Sequence, residues 1–579
     1  MKLTMKLTMQ FFVSGRRSHT HAGSEGKKPV TVNDLPAEVL AYISEIVQMK
    51  HWQDGSPAWG SYRWTYVSWV CRYWRWIALA SPALWTTIWI DTGDRSRCNL
   101  AWVAASIERA AGAPLDVSVL LRPSGVESWG TLYDLLLPFV SAIRRFAFTF
   151  CSGLNSDLAL TWFAISMVCP KGSLEVLKLG DDSQERHSSA MLLEFLTSRL
   201  RLQKLRVLEL TNLHLPTSPN LSACRSLRSL SIKGVFPHPN AIDLLSILSD
   251  CPRLETLAVD FCHASTQITD RIQTSIPSVT MPSLRSLLIR GDLADTVYAC
   301  DRILVLPTCI IQIFHRSVGR PLPPGIMLSI VLPKQAVFRS VISICTRVSL
   351  YIVGDIPSME FDDSDGKMRI CVHADIPSPG ASTITQVWED FTRMLSTVAT
   401  TDFALGCDKL HQVTVDMWSD SLSWMPTLES LNVLGDVDVV DKMRESAPFP
   451  AAMFEALATV STASETARCL RLRRIQLLFM VLDRITEEAF LRALQLRASL
   501  GLRLERVTFV ECYRTNPVGE DFKRRIQEYA DVFVVYESSS ADADADANAF
   551  RTIDWKAPTT QRRKKRLFNY LTRLVSCGS

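Results

Sequence analysis

The feature that most constrains the fold of this chain is a leucine pattern, L-x-x-L-x-L, that keeps returning along its 579 residues. It occurs at Leu174/Leu177/Leu179, Leu205/Leu208/Leu210, Leu227/Leu230/Ile232, Leu254/Leu257/Val259 and Leu284/Leu287/Ile289, after an aromatic-rich version at Ile143/Phe146/Phe148. Successive first positions lie 31, 31, 22, 27 and 30 residues apart. Later copies are Leu410/Val413/Val415, Leu428/Leu431/Val433, Leu472/Ile475/Leu477 and Leu504/Val507/Phe509. Residues 291–409 carry no clear copy, although "CTRVSLYIV" and "MRICVHA" read as strands from their β-branched density. Alternating apolar positions over so short a span describe a strand buried on one face. Such units bury that face only against neighbouring copies, which points to a solenoid. "CPRLETL", "MPSLRSL" and "MPTLESL" place proline just before a copy, where it ends a preceding turn or helix.

The spacing brackets and slightly exceeds the roughly 20–29-residue period of leucine-rich repeats. The asparagine of the standard repeat is not regularly present, so the expected array is irregular. The expectation is an α/β fold, of the α+β repeat kind, over residues 91–535. An ordinary α/β domain with chance leucine spacing is the alternative. In a repeat array the residues between core leucines line the concave side: Lys178, Glu209, Ser231, Ala258 and Leu288, with Lys233, Asp260 and Arg290 two positions further on. That row is mixed in charge and is a candidate substrate face.

Residues 30–90 read differently. "VNDLPAEVLAYISEIVQMK" begins with Asn33 or Asp34 as a cap, Pro36 in the first turn and Glu38 near the positive helix end. Leu35, Val39, Ile43, Ile46 and Val47 recur at helical spacing. His51 to Gly60 contains two glycines and Pro57 and reads as a loop. Val67, Val70, Cys71, Trp74 and Ile77 share one face of a second helix, and Ser81-Pro82 opens a third carrying Leu84, Trp85 and Ile88. Three such helices bury too little surface to be robust alone. Of the fifteen tryptophans, eight lie between Trp52 and Trp89. They fill a small core or form a docking surface, where tryptophan is a favoured anchor.

The run "LPAEVL … VCRYWR … SPALW" resembles the F-box, the three-helix module that binds the Skp adaptor subunit of SCF-type cullin–RING ubiquitin ligases. The matching positions are Leu35, Pro36, Glu38, Val39, Leu40 and Ile43, then Val70, Cys71, Arg72, Trp74 and Arg75, then Leu84 and Trp85. The connection Met49–Tyr66 is longer than the family's usual link. The resemblance implies a non-catalytic adaptor. In it Leu35, Pro36, Val39, Leu40, Ile43, Val70, Cys71, Trp74, Leu84 and Trp85 contact the Skp-type subunit and through it cullin, while the repeats hold a protein target. The alternative is a leucine-rich-repeat interaction scaffold acting without a ligase.

The remaining signals exclude more than they assign. Phosphate-loop, dinucleotide, serine-hydrolase and zinc-protease motifs are absent from the sequence, and no cofactor or metal is expected. "FDDSDG" is similar to a calcium loop, but Phe361 and Val372 stand where two acidic ligands belong. The fifteen cysteines are scattered singly, which suits a reducing compartment, cytoplasm or nucleus. A net charge of +4 gives no general argument for nucleic acid, and no apolar run reaches the ~18 residues of a membrane span. Residues 1–29 are expected to be a disordered leader. Residues 536–579 read as a polar linker, "SSSADADADANA", followed by Arg562, Arg563, Lys564, Lys565 and Arg566, a candidate nuclear import signal, with an anionic-membrane helix, a nucleic-acid contact or a run without a role as alternatives.

Overall fold

A computed structural model of the chain describes residues 34–53, 65, 68–93, 100–122, 126–150, 173–181, 204–212, 225–234, 241–261, 278–291, 293–316, 338, 341–342, 344–353, 356–375, 382–395, 398–407, 412–435, 451–461, 466–467, 469–478, 480–510, 513–514 and 520–536. The leader, the linker and the basic run at Arg562–Arg566 lie outside the described residues. The fold is mixed α/β with a large sheet that does not close on itself. The chain forms two compact units, Met1–Ala147 and Phe148–Ser579. The boundary expected at residue 90 falls inside the first unit, because the helix that follows packs back on that region.

In the first unit, α1 (Ala37–Gln53) packs on α2 (Arg72–Ala80) and on a short 3-10 segment, Pro82–Trp85. The carbonyl of Pro36 accepts from the N–H groups of Val39 and Leu40 at 3.1 and 3.2 Å, so helical bonding starts at the proline. Several sequence expectations change here. His51–Gln53 is helix and not loop, since no breaker stands before Gly55. The third helix is only a 3-10 turn, and Ile88 belongs to strand β1 (Thr87–Asp91), as its β-branched neighbours favour. Ser81 does not cap it; its hydroxyl donates back to the Ile77 carbonyl at 2.7 Å. Helix α3 (Leu100–Arg109), strand β2 (Leu115–Leu121) and helix α4 (Val126–Leu136) follow. Strands β1 and β2 pair in parallel with Ile88 beside Val117 and Ile90 beside Val119. Strand β3 (Ile143–Phe150) spans the division between the units.

The second unit contains β4 (Val176–Asp181), β5 (Val207–Thr211), β6 (Ser229–Lys233), β7 (Thr256–Phe261), β8 (Ser286–Gly291) and β9 (Ile310–Arg316). It continues with β10 (Cys345–Val353), β11 (Ile356–Asp363), β12 (Met368–Asp375), β13 (Asp402–Cys407), β14 (Ser430–Leu434), β15 (Arg474–Leu478), β16 (Leu504–Val510) and β17 (Ala530–Tyr536). Their order in the sheet is β4-β5-β6-β7-β8-β9-β12-β11-β10-β13-β14-β15-β16-β17. Every neighbouring pair is parallel except the two made by β11, which enters through a hairpin from β10.

The leucine pattern sets the register. Leu177, Leu208, Leu230, Leu257, Leu287 and Ile311 stand side by side across six strands, two residues ahead of a second buried row. The first leucine of each early copy is also buried, just outside the strand. "CPRLETL", "MPSLRSL" and "MPTLESL" form one recurring turn. The N–H of Leu254, Leu284 or Leu428 donates to the carbonyl three residues earlier, on Cys251, Met281 or Met425, at 3.1–3.2 Å. Proline at the second place of such a turn has its φ already set. Burial alternates along β5 and β6, so one face of these strands is packed and the other is partly open.

The copy expected at Leu410/Val413/Val415 is not a strand: Val415 opens helix α8, and Leu410 lies outside the described residues. The strand is β13, where Phe403 and Leu405 align with Leu431 and Val433. Its first position is the buried Thr400, which hid the copy. Residues 291–409 likewise hold copies led by polar or small residues, with Ile311/Ile313 in register with Ile370/Val372 and Val348/Leu350 with Phe403/Leu405.

The helices of this unit are α5 (Ala241–Ser249), α6 (Leu293–Arg302), α7 (Ser382–Leu395), α8 (Val415–Ser423), α9 (Ala451–Ala458), α10 (Arg484–Ser499) and α11 (Glu520–Tyr529). From α7 onward each packs on the next. Trp388 of α7 meets Trp418 of α8 with centroids 5.0 Å apart and donates its indole N–H to the Met417 carbonyl at 2.9 Å. Phe454 of α9 meets Phe490 of α10 at 4.7 Å. Asp483 caps α10 by accepting from the Thr486 N–H at 2.8 Å. Near the end of α10 the buried Arg497 donates to the carbonyls of Cys469 and Leu472 at 3.2 and 2.9 Å, holding the turn that leads into β15. Among the described residues no helix is long and apolar enough to cross a membrane.

Candidate functional site

Helix α2 carries Tyr73, Trp74, Trp76, Ile77 and Leu79 around Arg72 and Arg75, more large apolar side chains than one buried stripe accounts for. It is covered on one side only. Ile77 and Ala78 are buried, and Trp74 is half-buried. On the open side Trp69 and Trp76 are 67% and 62% exposed, and Val70, Tyr73 and Leu79 are also exposed. Helix α1 contributes Val39, Tyr42 and Ile46, a row at helical spacing in which Tyr42 is 60% exposed. The Tyr73 hydroxyl of α2 donates to the Leu35 carbonyl just before α1 at 3.4 Å, and within α2 the Tyr73 and Trp76 rings stack at 6.5 Å. Arg72 and Arg75 are exposed beside them, and Arg75 is anchored by a 3.1 Å bond from its Nε to the Ser68 carbonyl. A cluster of large exposed apolar side chains with a charged fringe is the form of a protein-docking surface.

The residues taken from the sequence for adaptor contact divide between this face and the interior. Pro36, Val39 and Val70 are exposed, and Leu35, Ile43, Cys71 and Trp74 are half-buried. Leu40, Leu84 and Trp85 are buried in the unit's own core, which corrects their expected place on the contact seam. Trp85 is held on three sides: its indole N–H donates to the Ala78 carbonyl at 2.8 Å, Trp102 lies at 5.1 Å, and the Arg109 guanidinium sits 4.4 Å above the ring. Tyr42, Trp69, Tyr73, Trp76 and Leu79 were missed. Tyr73 and Trp76 are spaced three apart on α2, and Trp69 lies just before the helix, which begins at Arg72 and not at Val67 as the sequence spacing suggests.

In the second unit the central-slot residues project from the partly open face of the sheet. Lys178 and Glu209 stand in register and pair at 2.8 Å, and Lys233 reaches Glu209 at 4.0 Å. Asp260 and Arg290 are register partners, with an ion contact of 3.9 Å. The five charged residues of the expected concave row therefore join cross-strand ion pairs, while Ser231, Ala258 and Leu288 stand between them without charge. Solvent-facing pairs of this kind contribute about 0–1 kcal/mol each.

The row continues into a more buried stretch. The Arg290 guanidinium lies 5.2 Å over the Phe314 ring, which stacks on His373 at 4.6 Å. Beyond it, burial pushes the Glu360 carboxyl up to about 7, helped by the charge of Asp362, and Asp362 itself up to about 6. Burial also raises the Tyr351 hydroxyl to about 12. Gly406 lets that tyrosine lie flat, since a Cβ there would sit 2.8 Å from its Cδ1. "FDDSDG" is a hairpin turn between β11 and β12. Asp363 Oδ1 accepts from the N–H groups of Asp365 and Lys367, and Gly366 takes the positive φ.

No protein-family model matches this chain, and no curated protein matches it.

Proposed function

We propose that this chain is a substrate-recognition adaptor of an SCF-type cullin–RING ubiquitin ligase. Its N-terminal helices, read as an F-box, bind a Skp-type subunit. Its second unit, read as an irregular leucine-rich-repeat solenoid, binds a protein target in the cytoplasm or nucleus. The observation that carries this reading is the open apolar face of α1 and α2, formed by Val39, Tyr42, Ile46, Trp69, Val70, Tyr73, Trp76 and Leu79. Water is a poor neighbour for so many large apolar side chains, and covering them with another protein's helices is the favourable outcome. The one-sided burial, parallel register and recurring corner turn of the second unit support the repeat reading.

The chain would supply proximity and no catalytic step. Holding a target beside the ligase raises the effective concentration of its lysines. Two partners test the assignment together. Affinity purification of the full chain should recover both the Skp-type subunit and cullin. Recovery of the first without the second would support an interaction scaffold acting outside a ligase, and recovery of neither would remove the F-box reading.

A further inference from the structure

The partly open face of β11 and β12 brings three metal-ligating side chains to one point. Cys371 and Glu360 are register partners on adjacent strands, and His373 follows Cys371 on the same face of β12. The Cys371 Sγ lies 2.9 Å from His373 Nε2 and 3.9 Å from Glu360 Oε1, and the three ligand atoms all fall within 4.8 Å of one another. A tetrahedral ion with bonds of about 2.0–2.3 Å to N, O and S holds its ligand atoms about 3.5 Å apart. The observed spacing closes onto such an ion with side-chain adjustments alone.

We propose that Glu360, Cys371 and His373 form a binding site for one zinc-class divalent cation, leaving a coordination position for water or for a donor group of a bound protein. The donor set suits a borderline-soft ion: thiolate and imidazole select zinc over magnesium or calcium. The thiol, and not the imidazole, is the shared neighbour of the other two groups, whereas a nucleophile–base–carboxylate relay needs the imidazole in the middle. Burial and the Glu360 charge push the Cys371 thiol up, which disfavours a bare thiolate; a dication reverses that balance. The surroundings also fit. Phe314 stacks on the imidazole and fixes its plane, with Arg290 beyond it. Ser358 is 7% exposed, and its hydroxyl lies against the Cys371 thiol, where hydrogen bonding to it favours the thiolate. It can serve a metal-bound water or the thiolate. The site would pin β11, the reversed strand, to its neighbour.

The test uses the full chain, stripped by a chelator and titrated with Co²⁺, followed by displacement with Zn²⁺. The expected result is a single bound cobalt with a thiolate-to-metal charge-transfer band and tetrahedral ligand-field bands, both abolished by stoichiometric zinc. Cys371→Ser should remove the charge-transfer band. His373→Asn and Glu360→Gln, at half-buried positions, should weaken binding by at least about tenfold while the fold persists by circular dichroism. Should Cys371→Ser fail to fold, these two carry the test. Absence of the thiolate band from the unaltered chain, or its persistence in folded His373→Asn and Glu360→Gln chains at unchanged affinity, overturns the site. The outcome is separate from docking on a Skp-type subunit, which concerns the first unit.

Discussion

Two helical regions of this protein are built from the same residue types and meet opposite fates in water. Around α7 and α8, Trp388 and Trp418 are 1% and 0% exposed, edge to face, with Phe391 and Phe403 stacked beneath at 5.3 Å. In α1, just before α2 and in α2, Tyr42, Trp69 and Trp76 stand in solvent. Aromatic spacing is helical in both. The difference is cover. Helix α8 has a helix on either side, whereas α2 is packed by α1 and takes the Trp85 indole N–H on its Ala78 carbonyl. A helical aromatic stripe thus specifies a surface that must be buried, and leaves open whether the chain or a partner buries it.

This contrast can be broken by substitutions, taken here in order of expected stability loss. Trp388→Ala should cost about 3–5 kcal/mol in denaturant unfolding, since it empties a sealed site. Trp85→Ala should approach the same value although Trp85 lies in the resembling motif; a loss under ~1 kcal/mol would return it to the contact face. Arg497→Leu should cost about 2–3 kcal/mol, because the Cys469 and Leu472 carbonyls lose their donor inside the core. Gly406→Ala should cost about 1–2 kcal/mol by driving a methyl group into Tyr351, visible as a changed tyrosine fluorescence or ring-proton spectrum. Trp76→Ser should shift stability by no more than about 0.5 kcal/mol. A large destabilisation there would mean that the open side of α2 is internal core.

Much of the second unit could be read directly, because a period-two alternation with a fixed leading leucine translates one-to-one into strand register. Leu208, Leu230, Leu257 and Leu287 are aligned as the spacing required. Copies led by Thr400 or Cys345 escaped notice because burial at the leading position tolerates a small polar or sulfur side chain. Val415 was misread because a single β-branched residue at a helix start mimics the end of a strand pattern. The ion pairs of Lys178, Glu209 and Arg290 followed from the register. The Glu360–Cys371–His373 cluster did not, because β11 runs antiparallel and brings together residues with no common sequence spacing. In the first unit, sequence identified α2 and one of its stripes. It could not rank the stripes, because which one faces inward depends on where α1 lies.

The central claim is that the open face of α1 and α2 is a docking surface for a Skp-type subunit. The direct measurement is calorimetric or surface-based binding of a purified Skp-type subunit to the full chain and to a Tyr42→Asp/Trp76→Asp chain. Thermal melting is recorded for both. The account predicts an unchanged melt and affinity lower by at least about 30-fold, the loss of roughly 2 kcal/mol expected for anchor residues. Equal affinity for a folded double variant would contradict it.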